Sequence, residues 1–174
     1  MNKVFGIGLS RTGTVSLTVA LKILGYNIIH SPNQNKGRTL ISFMNEWEGG
    51  TDSWVAFYYK KLDKAFPNSK FILTTRSLES WLNSYGYFLS WFRPFEGVEI
   101  VFQRYLYGDV KFNKETYTEA FIKHHKEVKE YFKDKPNDFL IMDFTKGDEW
   151  DKLCKFLNCR TPYYPFPHSN GRKI

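Results

Sequence analysis

The stretch from Val4 to Ser16 restricts the fold more than any other part of the chain. Val4 to Gly8 is a short apolar run ending in glycine, and the loop Leu9-Ser10-Arg11-Thr12-Gly13 follows it. Leu17, Leu21 and Leu24 then recur at helical spacing as far as Gly25. Strand, glycine loop and helix in direct succession form the opening unit of an α/β fold. Gly8 to Gly13 matches the G-x-x-x-x-G half of a phosphate loop. Thr14 and Val15 stand where a triphosphate loop continues with Lys and then Ser or Thr, so the lysine for terminal phosphates and the hydroxyl for magnesium are both missing. What remains is a nest of backbone amides at an open helix N-terminus, which holds an anion without a metal. Arg11, Thr12, Thr14 and Ser16 add side-chain donors.

The rest of the chain repeats the alternation. Tyr26 to Ile29 reads as a buried strand ending at His30, and Ser31-Pro32-Asn33 breaks the chain before a helix over about 37–47. Gly49-Gly50 closes that unit. Asp52 precedes a short extended stretch near Val55, a helix to about Phe66, a Pro67-Asn68 turn and the strand Phe71 to Thr75, which ends at Arg76. Ser77 can cap the next helix. Residues from Tyr87 to about Lys114 read as an irregular aromatic cap, broken by Pro94, Gly97 and Gly108. Tyr117, Phe121, His124, Val128 and Phe132 share one helical face, Phe139 to Met142 is a last strand, and Trp150, Leu153, Cys154 and Leu157 mark a last helix capped by Asp148. The pattern predicts one domain over 1–174, a three-layer P-loop-like α/β fold with a central parallel sheet flanked by helices. Ligands then lie beyond the carboxyl ends of the strands.

Charge and composition narrow the function classes. The 25 Lys plus Arg exceed the 18 Asp plus Glu by 7, which favours an anionic partner but does not choose among phosphorylated small molecules, nucleic acid and acidic polymers. No apolar run reaches the roughly 18 residues of a membrane helix and no export signal opens the chain, so the expectation is a cytoplasmic protein without a membrane partner. Cys154 and Cys159 are read as packing residues, and no metal site is expected. His124, on an apolar face, is read as a core residue.

Arg76 ends a buried strand where the fold puts ligands, and Ser84 follows eight positions later, about two turns into the helix begun at Ser77. An arginine fork and a serine hydroxyl at that point can hold a second phosphate, away from the glycine loop.

Three stretches carry a resemblance to a family: Phe5-Gly6-Ile7-Gly8-Leu9-Ser10-Arg11-Thr12-Gly13-Thr14-Val15-Ser16-Leu17, Phe66 to Arg76 continuing to Trp81 and Ser84, and Pro165-Phe166-Pro167-His168-Ser169-Asn170. They resemble the sulfotransferases that use 3'-phosphoadenosine 5'-phosphosulfate (PAPS), in their short, soluble, P-loop-like branch. The resemblance implies that Ser10, Arg11, Thr12, Gly13, Thr14, Val15 and Ser16 hold the 5'-phosphosulfate. Arg76 and Ser84 would hold the 3'-phosphate, which a triphosphate lacks, and 3',5'-adenosine bisphosphate would be the product. Many members carry Lys where Arg11 stands, and Asp or Asn then Pro where this chain has Ser77 and Leu78. A guanidinium stays protonated, so the expected part of Arg11 is to neutralise the leaving oxygen rather than to donate a proton.

The acceptor hydroxyl or amine must lose a proton. His30, at a strand end on the ligand side, and Asp52, which resembles an aspartate of related chains, are the two candidate bases, and with Arg11 they make the expected catalytic set. In some sulfotransferases a basic C-terminal loop folds onto the 3'-phosphate, a part open here to Arg172 and Lys173. Tyr85, Tyr87, Phe88, Trp91, Phe92 and Phe95 suit an aromatic wall for a ring or lipid-like body and suit core packing equally; the acceptor is expected to be a small molecule or a glycan. Two other classes fit less well. A P-loop kinase lacks its lysine at Thr14, and for a nucleic-acid binder the basic residues are spread along the chain without a ribbon.

Overall fold

The computed structural model of the chain describes residues 2–32 and 39–169. In order it runs β1 (Val4–Gly6), α1 (Thr14–Ile23), β2 (Ile28–His30), α2 (Leu40–Met44), β3 (Gly49–Thr51), α3 (Ser53–Ala65), β4 (Lys70–Thr74), α4 (Leu78–Trp91), α5 (Val98–Tyr107), α6 (Lys114–Tyr131), β5 (Phe139–Met142), a 3-10 turn at Phe144–Lys146, and α7 (Trp150–Leu157). The strands form one sheet in the order β2-β3-β1-β4-β5, and every pairing is parallel. This is the three-layer α/β architecture that the alternation predicts.

Two apolar clusters cover the sheet. On one face Leu17, Ala20 and Leu21 of α1 and Trp150, Leu153 and Cys154 of α7 pack on Val4, Ile28, Ile72 and Met142. The other cluster joins Val55, Tyr59 and Leu62 of α3 and Val128 of α6 to Phe5, Ile7, Phe71 and Leu73. Alternate residues of β1 and β4 therefore serve opposite faces, the period-two rule of a strand buried on both sides. A third cluster, with Leu9, Trp81, Tyr85, Tyr107, Tyr117 and Phe121, joins α4, α5 and α6.

Sequence expectations fail at four places in the fold. Gly49-Gly50 is no closing turn but the start of β3, wedged between β1 and β2. Glycine is needed there because a Cβ on Gly49, at φ +156, would lie 1.8 Å from the Val4 carbonyl oxygen. Val55 is helical rather than extended, since α3 begins directly after Asp52. The region from Tyr87 to Lys114 is largely helical: α4 continues to Trp91, and α5 occupies the interval between Gly97 and Gly108, which act as its two ends. Asp148 does not cap α7, whose N-cap is Glu149; its carboxylate accepts instead from the Asp143 amide and Lys152.

Other local readings hold. Ser77 caps α4 by accepting from the Ser80 amide. Only part of the helix expected over 37–47 is described, as α2. Cys154 is buried as expected, whereas Cys159 is exposed.

Candidate active site

All five strands point their carboxyl ends at one edge of the sheet, where the chain goes out from β1 to β2, returns to β3, and then crosses β1 to reach β4. That reversal is the switch point at which parallel α/β sheets bind ligands. A cavity of about 830 Å³ opens there. Ser10, Arg11, Thr12, Gly13, Thr14, Val15, Ser16, His30, Asp52, Arg76 and Ser84 all border it, so the residues singled out from sequence lie around one space.

The loop after β1 is bent by two residues with positive φ, Arg11 at 70° and Gly13 at 100°. A Cβ on Gly13 would lie 2.5 Å from the Phe144 ring, so both conformation and space require glycine. Helix α1 starts at Thr14 with no side-chain cap and no acidic residue in its first turn, which leaves its leading amides and positive dipole end directed at the cavity.

Several loop hydroxyls are already engaged. The Thr12 Oγ1 donates to the Leu9 carbonyl at 2.6 Å and lies 2.7 Å from the Thr74 hydroxyl, which ties the loop to β4. Ser10 is held at three atoms: its amide donates to the Tyr107 hydroxyl at 3.0 Å, its carbonyl accepts from the Trp81 indole at 2.9 Å, and its Oγ donates to Asp52 Oδ1 at 2.5 Å. Ser16 Oγ accepts from the Ser169 amide at 2.9 Å, which draws the C-terminal segment to the first turn of α1.

The cationic side of the cavity brings Arg11 and Arg76 together. The Nε of Arg11 donates to Ser84 Oγ at 3.2 Å, and its guanidinium lies 5.6 Å from the centre of the Phe88 ring. Arg76 donates through Nη1 to the Arg11 carbonyl at 3.3 Å and through Nη2 to Ser80 Oγ. Its Nε is buried without a partner among the described residues. Burial, and then the neighbouring Arg11 charge, hold the Arg76 pKa below the ordinary guanidinium value, with Asp143 opposing. Two guanidiniums close enough for one charge to act on the other, with an unpaired buried N–H, suit an anion of more than one charge. The sequence reading set the glycine-loop donors apart from Arg76 and Ser84; here the Arg11 side chain reaches across to Ser84.

His30 and Asp52 enter the cavity from the ends of β2 and β3. Asp52 has φ 87° and ψ −177°, a region that is nearly glycine-only and costs on the order of 1–3 kcal/mol elsewhere in proteins. His30 Nδ1 lies 2.8 Å from the Thr51 hydroxyl. His124 is buried in the core with its Nε2 donating to the Ile7 carbonyl, as its place on an apolar face indicated.

Of the expected aromatic wall, Tyr87 and Phe88 border the cavity, while Tyr85 is buried beneath it and Trp91 is exposed. Ser80, Asn83, Phe144, Thr145, His168 and Ser169 also line it and were not among the expected site residues. Ser80 and Asn83 had a usable signal, since both stand between Arg76 and Ser84 at about helical spacing from Arg76, four and seven positions on. Arg172 and Lys173 lie outside the described residues. Among the described residues no three His, Cys, Asp or Glu side chains are grouped to hold a metal, and no helix is long and apolar enough to cross a membrane.

Comparison with known proteins relates the chain to a family and to a fungal protein. A family described as a sulfotransferase domain matches residues 3–48 and 33–174, two overlapping segments that together span nearly the whole chain. A protein of Aspergillus versicolor named Ava biosynthesis cluster protein M is 28% identical over an alignment of 214 positions, taking in 95% of this chain and 80% of its own.

Proposed function

The chain belongs to the sulfotransferase domain family, and from that premise we propose that it moves a sulfuryl group from PAPS to a hydroxyl or amine. The observation that carries this reading is the pairing, in one cavity, of an uncapped helix N-terminus with the Arg11–Arg76–Ser84 group, whose buried Arg76 Nε has no described partner. A donor with a 5'-phosphosulfate and a 3'-phosphate presents two anionic ends to these two sets of donors, whereas ATP carries all of its phosphates at one end. Thr14 in place of the loop lysine also argues against a kinase.

In this assignment the amides of 13–16 and the Thr14 hydroxyl hold the phosphosulfate. Thr12 and Ser10, whose hydroxyls are bound within the protein, hold the loop in shape. Arg76 and Ser84 take the 3'-phosphate, with Ser80 steering the Arg76 fork. Arg11 lies where it can serve both ends, bound to Ser84 and carried by the glycine loop. On the transferring side its charge offsets the negative charge that grows on the oxygen leaving sulfur. His30 and Asp52, on the opposite wall, are the groups available to take the acceptor's proton. Tyr87 and Phe88 at the rim suit an acceptor with an apolar body. The fungal relative is named for a biosynthesis cluster, which supports a small-molecule acceptor.

Incubating the purified protein with sulfur-labelled PAPS and a panel of phenols, alcohols and amines tests the reading. Label should pass to an acceptor in the wild type and not in Arg11→Ala. Wild-type rates in that variant would refute the part given to Arg11.

A further inference from the structure

The sequence leaves His30 and Asp52 as equal candidates for the base, and two hydroxyl chains in the cavity wall separate them. The first begins at the Thr14 carbonyl, which can only accept. Thr18 Oγ1 lies 2.8 Å from that carbonyl and 2.6 Å from Thr51 Oγ1, and Thr51 Oγ1 lies 2.8 Å from His30 Nδ1. Each hydroxyl owns one proton. If Thr18 donates to Thr14, Thr51 must donate to Thr18, and His30 must then donate from Nδ1 to Thr51. No other assignment makes all three contacts hydrogen bonds. Thr18 and Thr51 are both buried, so an unmade bond among them is costly.

The second chain runs the opposite way. Tyr107, Ser53 and Ser10 are linked at 2.7 and 2.8 Å, and Ser10 Oγ donates to Asp52 Oδ1. Because a carboxylate only accepts, each proton in this chain points toward Asp52: Tyr107 to Ser53, Ser53 to Ser10, Ser10 to Asp52. Asp52 thus ends a chain of donors that fastens the glycine loop to α3 and α5.

We propose that His30, held as the Nδ1–H tautomer by Thr51 and Thr18, is the group that accepts the acceptor's proton at Nε2, and that Asp52 positions the loop through Ser10. Among the described residues none bonds Nε2 of His30, and the ring borders the cavity. The step balances within the proposed transfer, on which this inference rests. The acceptor oxygen forms a bond to sulfur as its proton passes to Nε2. The bond from sulfur to the bridging phosphate oxygen breaks with its electron pair on the phosphate, and the imidazolium then releases the proton to water. Thr51 acts through His30 and is a positioning residue.

Long-range proton–nitrogen correlation spectra of histidine-labelled protein at about pH 8.5, where an imidazole is neutral, read the tautomer directly. The His30 signals are identified by their loss in His30→Asn. A pyrrole-like Nδ1 and a pyridine-like Nε2 are expected; the reverse pattern overturns the assignment. In transfer from PAPS to phenol, His30→Asn keeps a donor toward Thr51 but lacks Nε2. It should lose at least about 10²-fold in rate while still binding 3',5'-adenosine bisphosphate. Thr51→Val should move the ring toward the Nε2–H form and lower kcat, and Thr51→Ser should restore both. A His30→Asn protein that transfers at the wild-type rate overturns the proposal. Failure of the sulfotransferase reading itself shows separately, as wild-type protein that does not bind 3',5'-adenosine bisphosphate.

Discussion

Replacing Arg76 by Met should weaken nucleotide binding greatly while changing the ligand-free fold little. Arg76 makes two hydrogen bonds in the structure, to the Arg11 carbonyl at 3.3 Å and to Ser80 Oγ, while its Nε has no described partner and its charge is held half-buried against Arg11. Losing two such bonds costs about 1–3 kcal/mol, and removing a charge that burial and a like neighbour disfavour offsets part of it, so ligand-free stability should fall by less than about 3 kcal/mol. Binding is different. A fork onto a phosphate makes two charge-assisted bonds of about 1.5–3 kcal/mol each, so losing the fork costs at least about 3 kcal/mol, on the order of 100-fold in Kd. With 3',5'-adenosine bisphosphate at about 100 times the wild-type Kd, the ligand stabilises wild type by about 2.7 kcal/mol but the variant by only about 0.4 kcal/mol. For a chain of this length that is a rise in Tm of roughly 5–11 °C against 1–2 °C, read by thermal melting with and without the ligand. Equal shifts in both proteins, or a variant that melts far below wild type without ligand, would refute the argument.

Three other perturbations follow from the same geometry. Gly13→Ala places a Cβ against Phe144 at positive φ; it should cost about 2–4 kcal/mol in urea unfolding and abolish nucleotide binding, because the loop cannot keep its bend. Tyr107→Phe removes the hydroxyl that accepts from the Ser10 amide and donates to Ser53, so stability should fall by about 1–2 kcal/mol and transfer rate should fall with it, measured by urea unfolding and labelled-sulfate transfer. Burial lowers the His124 pKa to about 4, below the roughly 6.5 of the unfolded chain, so the unfolded state takes up the proton first. Its contribution is therefore complete above about pH 6.5 and is lost as the pH falls toward 4, on the order of 3 kcal/mol; His124→Gln should flatten that part of the urea-midpoint profile, and an unchanged slope would contradict it.

What the sequence revealed and what it hid differ by the range of the interactions involved. The order of strands and helices was legible because apolar period and breaker residues act locally, as in Leu17, Leu21 and Leu24 or Phe139 to Met142. The eleven expected residues border one cavity because a parallel sheet brings the ends of its strands, and the loops that follow them, to one edge. Strand β3 was hidden because its three residues, Gly49, Gly50 and Thr51, carry no apolar alternation; the reason for glycine is the nearby Val4 backbone. Helix α5 was hidden by its terminal glycines, which read as general breakers although they bound ten helical residues, Val98–Tyr107. The Ser10–Ser53–Tyr107 and His30–Thr51–Thr18 chains join residues up to 97 positions apart, and no local pattern marks them. The reach of Arg11 to Ser84 is likewise a property of the folded loop, 73 positions removed in sequence.

Whether the cavity grips an adenosine nucleotide at two anionic ends is read by calorimetric titration of the wild-type protein with 3',5'-adenosine bisphosphate and with 5'-AMP, which differ only in the 3'-phosphate. With Arg76, Ser84 and Arg11 on that phosphate, the bisphosphate should bind on the order of 100-fold more tightly, from about 3 kcal/mol of charge-assisted bonding. Equal affinities, or tighter binding of 5'-AMP, would contradict the account.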